Sequence, residues 1–267
     1  MTTLLSSPPA PRLSPRRRTL LTVGVSVMAV LIGLGGLSLV ANYGHTTYTT
    51  VSDIAPTGQL VGVSSGSGDV EVHASPDSRI HVETRVRYGF RRPRISLHTG
   101  PNGIELRSQC RWFDSACSVD YHIGLPSGLD ISITTDSGNI KAAGVTAPTQ
   151  LTTGSGDITG TGMAGSLVAR TGSGAIRLRA TTSRAVTAKT GSGDISAEFS
   201  DAPTEVSART GSGTVTLTLP GTLAYAVDID TGSGDRSIDV PTDPRAERHL
   251  FARTGSGDVR VRASAAG

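Results

Sequence analysis

The chain has 267 residues, of which 36% are hydrophobic but only 4% aromatic, with 33 glycines. A thick core filled by Phe, Tyr and Trp is excluded, and thin layers of Val, Ile, Leu, Ala and Thr in one or two domains are implied. The formal charge of +3 and pI of 9.1 arise in the first 18 residues. Four of the 25 basic residues, Arg12 and Arg16 to Arg18, lie there without an acid, leaving 21 against 22 acidic residues beyond. The near-neutral body does not support a chain-wide polyanion-binding surface, so no nucleic-acid partner is expected.

Residues 1–18 read as a cytoplasmic tail and 19–41 as a transmembrane helix. Thr19 to Val40 contains no charged residue, and a helix of that length spans about 33 Å, the thickness of a bilayer core. Arg16 to Arg18 at its N-terminal edge place the N-terminus in the cytoplasm and the remainder outside. This describes a single-pass signal anchor in a bacterial cell membrane with an extracytoplasmic C-terminal part. The rival is a cleaved signal peptide, whose apolar region is normally ~7–15 residues. The best cleavage point, after Ala41, has Leu39 where a small residue belongs.

Residues 42–55 read as a polar tether. Residues 56–130 read as an irregular β region with alternating stretches such as "RIHVETRVRY" and "GIELRSQ", a candidate cap for the more regular segment beyond it. Arg85, Arg87, Arg91, Arg92 and Arg94 interleave there with Tyr88 and Phe90. This segment is a candidate grip on an anionic polymer or lipid headgroups; the alternative is a solvated strand edge guarded by charge and Pro93. Cys110 and Cys117 flank a short loop. An extracytoplasmic compartment favours a disulfide over free thiols, and two cysteines without a neighbouring His make a poor zinc site.

From residue 131 to 263 the chain repeats. With one earlier copy, the turn recurs at Gly66–Gly68, Asp136–Ser137–Gly138, Gly154–Gly156, Gly172–Gly174, Gly191–Gly193, Gly211–Gly213, Gly232–Gly234 and Gly255–Gly257. After a first gap of 70, the spacings are 18, 18, 19, 20, 21 and 23. Before each turn, small or apolar residues alternate with polar ones (Val186, Ala188, Thr190 against Lys189), and after it apolar residues alternate again (Ile195, Ala197). Period-two patterning on both sides of a glycine turn means strand, turn, strand. Arg236 breaks the rule after the seventh turn. Stacked on like neighbours, such segments form an all-β repeat β-solenoid, parallel and β-helix-like. A β-sandwich of consecutive antiparallel hairpins uses the same alternation and is the competing architecture. The chain's C-terminal end, just past Val261, would be open or covered by another chain, giving a route to a homo-oligomer.

The acid after the turn invites a calcium reading. Its position holds Asp69, Asn139, Asp157, Ala175, Asp194, Thr214, Asp235 and Asp258. Several copies lack a carboxylate, whereas calcium wants six or more oxygens. A local role, accepting turn N–H groups, fits better, and no cofactor or metal is expected. "GVSSG" at Gly62 and "GTGMAG" at Gly160 imitate a nucleophile elbow and a dinucleotide loop, but repeat strands come next where helices are required. His45, His73, His81, His98, His122 and His249 form no close metal-binding pair in sequence.

The repeated T-G-S-G-D-[IV] turn behind one N-terminal span resembles the bacterial putative-adhesin domain family of unknown function, over roughly residues 56–262. The resemblance implies a β-solenoid-like fold at the cell surface or membrane and supplies no catalytic residues. The sequence therefore points to a non-enzymatic, membrane-anchored, extracytoplasmic repeat domain for adhesion, scaffolding or envelope-stress sensing. Its expected partners are the membrane and a cell-wall polymer or envelope protein. The alternative is a polymer- or carbohydrate-active β-helix enzyme, for which Glu198, Asp201 and Glu205 are the dense acidic patch.

Overall fold

A computed structural model describes residues 45–111 and 116–264. The tail and the candidate span of residues 19–41 lie outside the described residues. Among the described residues, no helix is long and apolar enough to cross a membrane, and every regular element is a strand.

The N-terminal part supplies β1 (Thr46–Ile54), β2 (Leu60–Ser67), β3 (Val70–Ser75), β4 (Ile80–Tyr88), β5 (Arg94–Gly100), β6 (Gly103–Gln109) and β7 (Ser118–Pro126). The repeats supply β8 (Asp130–Ser137), β9 (Ile140–Ala143), β10 (Thr149–Ser155), β11 (Ile158–Thr161), β12 (Leu167–Ser173), β13 (Ile176–Thr181), β14 (Ala185–Ser192) and β15 (Ile195–Phe199). They continue with β16 (Glu205–Ser212), β17 (Val215–Leu219), β18 (Ala226–Ser233), β19 (Arg236–Asp239), β20 (His249–Ser256) and β21 (Val259–Ala263).

Each repeat is one rung of a stack. Its first strand joins a ten-stranded sheet, the chain turns at the glycines, and its second strand joins an eleven-stranded sheet. Neighbouring rungs pair in parallel and in register: Val186 lies between Leu167 and Val206, and Ile195 between Ile176 and Val215. Consecutive hairpins would pair antiparallel, so the sandwich alternative does not describe the repeats. The described residues are all-β and β-solenoid-like. The core between the sheets is the inward rows, among them Ile133, Leu151, Ala169, Ala188, Ala208 and Ala252 facing Ile158, Ile176, Ile195 and Val215, all buried. Each fully buried Val, Leu or Ile contributes roughly 1.5–3 kcal/mol. Small residues in one row leave room for branched ones in the other, which is how a chain poor in aromatics still fills its interior.

Three features differ from a reading in simple chain order. The first turn, in the segment read as irregular, belongs to the stack: β2 and β3 pair in parallel with β8 and β9. Second, the tether segment contributes β1, which pairs antiparallel with β4 from Thr46↔Tyr88 to Ile54↔Ile80; its β-branched Thr, Val and Ile suit an exposed edge. Third, the last repeat in sequence is not the last rung. Strands β20 and β21 lie between β16–β17 and β18–β19, so the seventh repeat forms the outer end. Arg236 takes the place of an inward Val or Ile there because that rung is covered on one side only. Arg236 and Ile238 are exposed, whereas Val259 and Val261 at the equivalent places of the last repeat are buried. The open end expected after Val261 is therefore made by β18 and β19.

Candidate functional site

The repeated turn is a joint between rungs. Its second glycine has a positive φ in every copy, such as +139° at Gly193, and a Cβ placed there would lie 2.2 Å from the Gly174 carbonyl oxygen of the preceding rung. Only glycine satisfies both demands. The Gly174 amide donates to the Ser192 carbonyl at 2.9 Å, and the Thr190 hydroxyl donates to the Gly174 carbonyl at 2.9 Å. The same threonine bond recurs at Thr153, Thr171, Thr210, Thr254 and Thr231. It satisfies a hydroxyl that alternation drives into the core.

The acid after the turn also acts between rungs. Asp157 accepts the Ala175 amide at 2.8 Å, Asp194 accepts that of Thr214 at 2.8 Å, and Asp258 accepts that of Asp235 at 2.9 Å. Asn139 serves Asp157 at 3.0 Å, and Asp69 serves Asn139 at 2.8 Å. The bond reaches the next rung instead of closing its own turn, which corrects the local-turn role. At Asn139 an amide oxygen takes the place of the carboxylate. The Ala175 amide first, and then the Arg177 guanidinium at 2.6 Å, hold the Asp157 carboxyl below its ordinary range.

The arginine segment divides in space. Arg85 and Arg87 stand on the outer face of β4, alternating with buried Thr84 and Val86, and Arg85 pairs with Glu83 at 2.8 Å. Arg91 and Arg92 lie in the connection after β4, and Arg94 opens β5 in the other sheet. Arg91, Arg92, Arg94 and Arg111 line an open recess of about 540 Å³. Arg92 donates to the Tyr88 hydroxyl at 3.1 Å and stands 5.8 Å from the Tyr48 ring centre. Arg111 joins because β5 and β6 form a hairpin with Arg94 opposite Gln109. Sequence spacing gives no sign of it. Cys110 and Cys117 are joined by a disulfide beside this recess, with Cα atoms 5.8 Å apart.

Sequence reasoning also misses a clasp at the sheet edge. His81 on β4 lies between two carboxylates: Nδ1 bonds Asp53 on β1, and Nε2 lies 2.9 Å from Asp77. The Asp53 bond, ahead of the Asp77 contacts, raises the His81 pKa above its ordinary value. The enzyme alternative needs converging acids. Glu198 is on β15 in one sheet and Glu205 opens β16 in the other, both exposed. Gly62 and Gly160 lie in strands β2 and β11. Among the described residues, no three His, Cys, Asp or Glu side chains form a group that could hold a metal ion.

This geometry has counterparts among known proteins. The model of the family described as Toastrack DUF4097 matches residues 127–266, the run of repeats. The chain belongs to the Toastrack family. Solved structures match the chain at low identity. A protein described as a putative adhesin from Bacteroides fragilis is 13% identical, covers 81% of this chain and 97% of its own, and superposes with a TM-score of 0.51. A putative cell adhesion protein from Clostridium sporogenes is 11% identical, with 82% and 100% covered and a TM-score of 0.38. A putative lipid binding protein from Parabacteroides distasonis is 12% identical, with 82% and 97% covered and a TM-score of 0.29. No curated protein matches the chain. For this Toastrack chain the matched region holds seven of the eight rungs, and the first rung, the recess and the clasp lie before it in sequence.

Proposed function

We propose that this Toastrack chain is a non-enzymatic, extracytoplasmic binding domain, held to the membrane by residues 19–41 and serving adhesion or scaffolding. The observation that carries the reading is the in-register stack. Eight rungs present the outer faces of a ten- and an eleven-stranded sheet, long surfaces suited to extended partners. Of the acids that an enzyme would bring together, Glu198 and Glu205 stand on different sheets and Asp201 in the exposed loop between them. The disulfide suits an oxidising compartment. We extend to the chain the adhesive role for which the Bacteroides fragilis neighbour is described.

The test has two parts. In cells producing the chain with a tag at each end, protease added outside should remove the C-terminal tag and spare the N-terminal one. The detergent-solubilised whole chain should retain isolated envelope polymers or envelope proteins. A protected C-terminal tag, or no retention of any envelope fraction, contradicts the reading.

A further inference from the structure

The outer face of the ten-stranded sheet carries a straight row of cations. Register places Arg170, Lys189, Arg209 and Arg253 opposite one another on β12, β14, β16 and β20. Adjacent strands are about 4.8 Å apart, so the four charges line up across roughly 14 Å. All four are exposed. Charge compensation is confined to one end, where Arg253 meets Asp230 of the outermost rung at 3.1 Å. Arg170, Lys189 and Arg209 have no ion pair among the described residues. On the other sheet two outward arginines are paired, Arg177 with Asp157 and Arg260 with Asp258, and the exposed Arg179 and Arg262 beside them form no such in-register row across four strands.

Like charges directly opposite on neighbouring strands oppose folding, and these side chains point away from the core, so packing gives no reason for the row. Its surroundings leave it accessible. The neighbouring outward positions are the short Val168, Thr187 and Ser207 on one side and turn glycines on the other, so the cations rise above a shallow floor. Phe251 organises one end. Arg209 stands over its ring at 4.4 Å and Arg253 at 5.6 Å; the ring holds the Arg209 guanidinium in place while leaving its donors available, whereas Arg253 is shared with Asp230.

We infer that this row binds a linear, carboxylate-bearing polysaccharide lying across the strands. The inference rests on the reading of the chain as an extracytoplasmic binder and names its ligand class. A compact anion meets one or two cations, whereas a line of cations with a fixed step matches a polymer with a fixed step. The step of about 4.8 Å is close to what one sugar unit adds to an extended chain, and planar carboxylates suit the guanidinium fork.

The experiment measures retention of the detergent-solubilised whole chain on immobilised polygalacturonate. Methyl-esterified polygalacturonate, poly(glycerol phosphate) and duplex DNA serve as comparison polymers, each at two salt concentrations. The wild type should prefer polygalacturonate, and added salt should weaken binding. Arg170→Gln/Lys189→Gln/Arg209→Gln should lose about tenfold or more in affinity, from three charge contacts of ordinary exposed strength, with its melting temperature preserved. Arg170→Lys/Arg209→Lys should restore most of the binding, which separates charge from fold. Polygalacturonate binding by the triple variant equal to wild type overturns the inference, as does equal or tighter binding of the ester, the phosphate polymer or DNA. If both proteins retain isolated envelope material equally, the row fails while the domain remains a binder; if the wild type retains none, both readings fail.

Discussion

The Thr190 hydroxyl donates to the carbonyl oxygen of Gly174, one rung below, at 2.9 Å. The Gly174 amide donates in turn to the carbonyl of Ser192. Two adjacent turns thus hold each other at the point where the chain passes from one sheet to the other. Replacing Thr190 by Val keeps the shape but leaves the Gly174 carbonyl without its hydroxyl donor. A loss of about 1–2 kcal/mol is expected in urea unfolding, with Thr190→Ser recovering most of it. Equal stability of Thr190→Val and the wild type would show that the hydroxyl is idle.

The acid ladder is interrupted at Ala175 and Thr214. By the register of the other copies, these positions would serve the amides of Asp194 and Asp258, which have no such side-chain acceptor among the described residues. Ala175→Asn should therefore stabilise the protein by roughly 0.5–1 kcal/mol, because Asn139 shows that an amide oxygen does the work without adding charge. A destabilised Ala175→Asn in thermal unfolding would count against the ladder.

The pH dependence has two parts of opposite sign. Asp157 is held below its ordinary carboxyl range. Its contribution is present above the unfolded value of about 3.9 and is lost as pH falls through the lower folded value. Between about pH 5 and pH 2 the wild type should lose more stability than Asp157→Asn, which keeps the bond to Ala175 but not the charge pair.

His81 is raised. Its contribution is present below the unfolded value of about 6.5 and is lost as pH rises through the folded one. After correction for intrinsic rates, amides of β1 should exchange faster at alkaline pH than near pH 6, and His81→Gln should flatten that dependence.

Much of this architecture is legible in the sequence because the stack is made of sameness. Each outward or inward place is occupied in the next rung by its counterpart, so the alternation of Val186, Ala188 and Thr190 around Lys189 already defines strand, face and turn. The arginine row can be read as a row for the same reason. The rest depends on contacts between segments distant in sequence. Nothing near His81 announces Asp53, 28 residues away, and Arg111 reaches the recess only through the β5–β6 hairpin. The reversed order of the last two rungs leaves one trace, Arg236 at an inward place. Local patterning says that a segment stacks, but not on which neighbour.

That order gives a prediction of its own. Without residues 249–264, the seventh rung loses its parallel partners on both sheets, since β18 pairs with β20 and β19 with β21. In a chain ending at Arg248, amides of β18 and β19 should exchange as unprotected while those of β14 and β16 stay protected. If rungs ran in chain order, β18 would keep its protection against β16.

The most direct test of the stacking account compares Gly193→Ala with Asp194→Ala in one thermal unfolding series. The Gly193 side chain would meet the Gly174 carbonyl oxygen at 2.2 Å from a backbone φ of +139°, at a cost of about 3 kcal/mol or more. Asp194→Ala loses one exposed bond to the Thr214 amide, about 1 kcal/mol. At roughly 2–4 °C per kcal/mol, the account predicts a fall of at least about 6 °C for Gly193→Ala and only a few degrees for Asp194→Ala. Equal falls, or an unchanged midpoint for Gly193→Ala, would contradict it.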